Sequence, residues 1–275
     1  MSPTPRRLPH RLWSQTAVAL VLLMVGIVHA APTETPVDYQ IDGASFRGYA
    51  IYDASVKTPR PLVVLVPNWL GANAANRKQA AEIAGKDYVV FVADMFGVGK
   101  LPANTDEAGK AVGALYADRT LLRSRVAAAK TTAIETVKAR KLPADLGKVA
   151  AIGFCFGGAS VLELARSGDN SAAVVSFHGN LSLQGAAEDK PVTAKVLALH
   201  GDADPFVPAE QVDGFLAEMR AGSYDWELVR YGGAVHSFTD PDANWAGKAE
   251  YNPKVAKRAF ARMKDFLAEA FATVR

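Results

Sequence analysis

The stretch VAAIGFCFGGAS, Val149 to Ser160, decides how this chain is read. Its first residues are small and apolar, as in a strand buried on both faces. Those from Gly157 onward can open a helix. Between the two patterns stands Cys155, the only cysteine in 275 residues, with Gly153 two positions before it and Gly157 two positions after. A strand–turn–helix elbow of this kind holds a reactive side chain at the end of a sheet. A lone cysteine is also often just a small buried hydrophobe. The flanking glycines and the abrupt change of pattern favour the elbow.

Outward from the elbow, strand and helix patterns alternate. Two strands are expected in VDYQIDGASFRGYAIYD, 37–53, around the turn signal Asp42-Gly43. PLVVLVPN, 61–68, and YVVFVADMFG, 88–97, read as buried strands, and Asn73 is placed to cap the helix AANRKQAAEIAGK, 74–86. Residues 105–139 are helical in two pieces, closed by Asp145-Leu146-Gly147. KVAAIGFCF, 148–156, is a strand that leads into the helix 157–168. Strands follow at 172–179, 195–204 and 224–232, with a helix at 208–222 that has Pro208 in its first turn. An amphipathic helix spans 253–272, and Thr33 to Pro36 reads as a flexible start. The alternation predicts a single α/β domain, a mostly parallel central sheet with helices on both faces.

The first 30 residues stand apart. Arg6, Arg7 and Arg11 precede an apolar run from Ala17 to Val28, and Ala30 is a small residue at a plausible cleavage point. This order predicts a signal peptide over 1–30 and a mature domain over 31–275, secreted or periplasmic, with no stable membrane association after cleavage. The run is short for a spanning helix, and an uncleaved anchor is the alternative. Of 31 basic residues three lie in that segment, which leaves 28 against 28 acids. A balanced chain lacks the concentrated basic surface of a nucleic-acid binder. One cysteine cannot form an internal disulfide, and a free thiol is a liability outside the cytoplasm, which favours a function for Cys155.

A thiol attacks as thiolate, so it needs a base within hydrogen-bond reach, and the base needs an orienting partner. His178, His200 and His236 follow Cys155. Only His236, in the glycine-rich YGGAVHSF, follows both a well-placed acid and the last expected strand. His178 and His200 end strands and are expected to be structural or to line the pocket. The loop LHGDADPFVP supplies two acids, Asp202 and Asp204, and spacing leaves both open.

Three motifs carry a resemblance: Gly153-Phe154-Cys155-Phe156-Gly157-Gly158, Asp204-Pro205-Phe206-Val207-Pro208 and His236-Ser237-Phe238. GANAANR, Gly71 to Arg77, adds to it. With them the chain resembles the dienelactone hydrolase family of α/β-hydrolases over nearly its whole mature length. The resemblance implies the α/β-hydrolase fold, with Cys155 as nucleophile, His236 as base and Asp204 rather than Asp202 as acid. It also implies an oxyanion hole from the backbone N–H groups of Trp69 and Phe156. Asn68 stands where the best-known members have a glutamate, and Val98 and Asp240 stand where they have carboxylate-binding arginines. Asn68, Trp69, Val98, His178 and Phe206 are the expected pocket residues, and Trp69, Val98, Phe156 and Phe206 suggest an apolar wall suited to neutral substrates.

The expectation is therefore an exported hydrolase that cleaves a small-molecule ester or lactone through a thioacyl-enzyme. A thioesterase or acyltransferase would use the same triad. A non-catalytic binding protein that kept the fold is the rival from another class. No metal-ligand cluster and no phosphate-cradling loop stands out in the sequence, so no cofactor is expected.

Overall fold

The computed structural model describes residues 1, 32–182 and 189–273. The expected leader falls outside these residues. Among the described residues no helix is long and apolar enough to cross a membrane.

An antiparallel hairpin, β1 (Thr33–Ile41) and β2 (Ala44–Tyr52), opens the domain. It turns at Asp42 and Gly43, both with positive φ. The expected flexible start is corrected here: Thr33 to Pro36 lie within β1 and pair with residues 49–52 of β2. Next come β3 (Arg60–Val66), α1 (Ala74–Ala84) and β4 (Val89–Val92). Helices α2 (Thr105–Ala117) and α3 (Arg119–Arg140) are the two expected pieces, divided at Asp118. Then follow β5 (Ala144–Phe154), α4 (Phe156–Arg166), β6 (Ala173–Phe177), β7 (Lys195–Gly201), α5 (Ala209–Ala221) and β8 (Trp226–Tyr231). A short hairpin, β9 (Asn244–Trp245) and β10 (Ala249–Glu250), precedes α6 (Pro253–Thr273).

Eight strands form one sheet in the order β1-β2-β4-β3-β5-β6-β7-β8. β2 pairs antiparallel with β4, and the strands from β4 to β8 are parallel to their neighbours. Alternating side chains divide the core into two layers. Leu62, Val64 and Val66 of β3 face the layer filled by α2, α3, α4 and α5, while Val63 and Leu65 face α1 and α6. β3 is apolar on both faces, as its continuous run required.

Asp145-Leu146-Gly147 does not end a helical region. These residues already belong to β5, where the register jumps between Pro61↔Asp145 and Leu62↔Val149. The turn residues mark a bulge, which lets a strand absorb extra residues. Asn73 caps α1 as expected, its side chain accepting from the amide of Asn76 at 2.9 Å. Pro208 stands at the cap position of α5, one residue before its first turn.

Candidate active site

The elbow explains its own sequence. β5 ends at Phe154 and α4 begins at Phe156, so Cys155 alone makes the turn, with φ 54° and ψ −115°. A non-glycine residue rests there only when its surroundings hold it, at a cost of about 1–3 kcal/mol. The glycines permit the fit. A Cβ on Gly153 would lie 2.0 Å from the carbonyl oxygen of Gly157, and a Cβ on Gly157 would lie 2.0 Å from that of Val66. Helix and strands approach so closely that neither position tolerates a side chain.

Three connections at the carboxyl ends of parallel strands carry Cys155, Asp204 and His236. β5 leads into Cys155, β7 leads to Asp204, and the loop after β8 carries His236. His236 Nε2 lies 3.0 Å from Cys155 Sγ, and His236 Nδ1 lies 2.7 Å from Asp204 Oδ2. The second oxygen of Asp204 accepts from the Phe206 amide at 2.9 Å. Asp202 points elsewhere, pairing with Arg230 at the surface. Of the two acids that spacing left open, Asp204 is the one that meets the His236 ring.

Charge follows from this packing. Burial by itself would push the His236 imidazole down. The charge on the Cys155 sulfur and the contact with Asp204 outweigh it and lift the imidazole to about 10. His236 therefore holds its proton more tightly than a free imidazole. Cys155 also sits at the amino end of α4, where the helix favours negative charge.

His178 is buried behind the elbow, at 2% exposure. Its Nδ1 accepts from the Cys155 amide at 3.2 Å, so its Nε2 carries the hydrogen donated to Thr239 Oγ1 at 2.8 Å. Burial holds it well below its usual value, and the neighbouring His236 acts in the same direction. His178 is thus a neutral prop under the elbow. His200 is also buried, and burial lowers it too.

The amides of Trp69 and Phe156 have no hydrogen-bond partner among the described residues. Phe156 is the first residue of α4, where no intrahelical acceptor exists. Asn68 holds its own loop: its Oδ1 accepts from the Leu70 amide and from Asn76 Nδ2. Phe206 presents its edge to the His236 ring, with centroids 5.3 Å apart. Val98 lies in the exposed turn after β4, its amide bonded to Ser45 O. Asp240 lines a cavity of about 240 Å³ on the α1 side, together with Asn68, His178 and Thr239. Burial raises its carboxyl.

The family model described as the dienelactone hydrolase family matches residues 46–271. The chain belongs to the dienelactone hydrolase family. It is accordingly an α/β-hydrolase that acts on ester bonds. Among solved structures it is similar to m3DLH, with a TM-score of 0.78 and 34% identity over 88% of this chain and 100% of that one. It is also similar to a dienelactone hydrolase-like promiscuous phosphotriesterase from metagenomic libraries, with a TM-score of 0.79 and 33% identity over 88% of this chain and 99% of that one. An uncharacterised protein of Caenorhabditis elegans is 40% identical over 134 residues, 46% of this chain and 84% of that protein.

Sequence reasoning missed three side chains that lie near Cys155 or His236 in this dienelactone hydrolase family member. Tyr116, on α2, packs against Phe156 at 5.7 Å, and its phenol finds no hydrogen-bond partner among the described residues. Burial, and then the charge of Cys155, push that phenol well above its usual value. Trp245 and Lys248, on the β9–β10 hairpin, reach the same end of the sheet. No local motif marks any of the three. Only the fold brings them to the elbow.

Proposed function

We propose that the protein hydrolyses neutral esters or lactones through a covalent thioacyl-enzyme on Cys155. One observation carries this reading: a single contiguous line from Cys155 Sγ to His236 Nε2 at 3.0 Å and from His236 Nδ1 to Asp204 at 2.7 Å. Nucleophile, orienting acid and base occur in that order along the chain, the order of the α/β-hydrolase arrangement.

In this reading the Cys155 sulfur adds to the substrate carbonyl. The Trp69 and Phe156 amides donate to the oxygen that gains charge. The tetrahedral adduct collapses, the carbon–oxygen bond to the alcohol breaks, and His236 gives its proton to the departing oxygen. The acid remains as a thioester on Cys155. His236, now neutral, takes a proton from water as that water attacks the thioester. The acid departs, and the sulfur and imidazolium return to their starting charges. Asp204 stays ionised and holds the imidazole in the productive orientation. Asn68, tied to its loop, leaves the sulfur to His236 and the helix terminus.

The test compares wild type with Cys155→Ala on p-nitrophenyl esters. Alanine adds no bulk to the turn, so the variant is expected to melt like wild type and to lose at least about a thousandfold in kcat/KM. A variant that keeps activity within about tenfold defeats the reading, because its nucleophile would be dispensable.

A further inference from the structure

We infer that Phe206 and Trp245 form a seat for the alcohol part of the substrate, and that the preferred esters carry an aromatic alcohol. This rests on the roles proposed above for Cys155 and His236. A proton passes from His236 Nε2 only to an oxygen within hydrogen-bond reach, so the departing alcohol begins beside that imidazole. The neighbours of the ring then decide what the alcohol touches. His178 lies against it at 5.2 Å but is buried, and Asp204 occupies Nδ1. Phe206, 5.3 Å away and 44% exposed, borders the imidazole where solvent reaches. Trp245 extends the surface, 5.8 Å from Phe206 and 53% exposed.

The indole is held in register with the imidazole. The His236 amide donates to Lys248 O at 3.1 Å, and the Glu250 amide donates to His236 O at 3.0 Å. The hairpin that carries Trp245 is thus bonded to the backbone of His236 itself. Lys248 Nζ lies 4.4 Å from the indole centroid and fixes the ring from the same turn. Two exposed aromatic rings, set at 49° to each other and locked to the proton donor, suit a third ring between or upon them. A small alkyl alcohol would leave both rings in water.

The alcohol departs on acylation while the acyl group stays on sulfur. The seat therefore acts on acylation alone and is indifferent to the acid. The experiment measures kcat/KM for 2-naphthyl, phenyl and ethyl acetate with wild type, Trp245→Ala, Trp245→Phe and Phe206→Leu. The naphthyl-to-ethyl ratio is expected to fall about tenfold in Trp245→Ala and Phe206→Leu, the loss of one aromatic contact, and to survive in Trp245→Phe. The ratio of p-nitrophenyl butyrate to acetate is expected to stay constant in all four proteins. An unchanged naphthyl-to-ethyl ratio in both Trp245→Ala and Phe206→Leu, or an altered butyrate-to-acetate ratio, overturns the seat. Failure of the nucleophile is told apart by Cys155→Ala: activity retained there defeats the mechanism, whereas an inactive Cys155→Ala with unchanged ratios defeats the seat alone.

Discussion

At the scale of the residue, the site depends on a proton that His236 does not give up at neutral pH. Its affinity is raised to about 10 by the sulfur and Asp204, against the effect of burial. Below that value the imidazolium is present and can protonate a departing alkoxide, and above it the donor is lost. With an ethyl ester, kcat/KM is expected to hold through the mildly alkaline range and to fall above about pH 10. Asp204→Asn removes one of the supports, so the falling limb moves to lower pH. Asp202→Asn, remote from the ring, leaves it in place. A pH–rate profile that is identical for wild type and Asp204→Asn would contradict the assignment. The choice between these two acids was open in sequence, because both lie on one loop after a strand. Only the direction in which each side chain leaves that loop separates them.

At the scale of the element, the elbow is braced from behind. Glu163, on α4, is fully buried and is gripped by Arg119 at 2.9 Å, Arg123 at 2.8 Å and Arg166 at 2.9 Å. The arginines of α3 thereby tie that helix to the one that follows Cys155. Removing one member of a buried ionic cluster leaves desolvated charge, so Glu163→Ala is expected to cost about 3–5 kcal/mol in urea unfolding. A loss under about 1 kcal/mol would mean that the cluster is far better hydrated than its burial implies. The buried strands and α4 were legible in sequence because they bury both faces and so read as continuous apolar runs. Other elements were not. Thr33 to Pro36 have little apolar pattern, since β1 is an edge strand, and Arg140 holds it by donating to Pro36 O at 3.0 Å. Leu146 and Gly147 looked like a stop because a bulge uses the same residues as a turn. The two-residue strands β9 and β10 are too short for any periodicity, and their position comes from pairing with His236.

At the scale of the molecule, the strand order gathers the ends of β3, β5 and β7 and the loop after β8 at one edge of the sheet. This is where an open α/β sheet places its chemistry. Cys155, Asp204 and His236, which the structure brings within hydrogen-bond reach of one another, could be singled out in sequence because each sits in a short motif tied to a strand end. Tyr116, Trp245 and Lys248 were not, because they arrive on an inserted helix and a late hairpin that only tertiary packing aims. The central claim is that the acid is carried on the sulfur of Cys155, and an acyl-enzyme can be weighed. A hindered ester, such as p-nitrophenyl pivalate, slows the second step, so an acid quench during turnover should trap the intermediate. The account predicts an intact-protein mass raised by one pivaloyl group, located on the peptide that contains Cys155 and released by neutral hydroxylamine. Continued turnover with no acyl group on that peptide, or with the group on another residue, would contradict it.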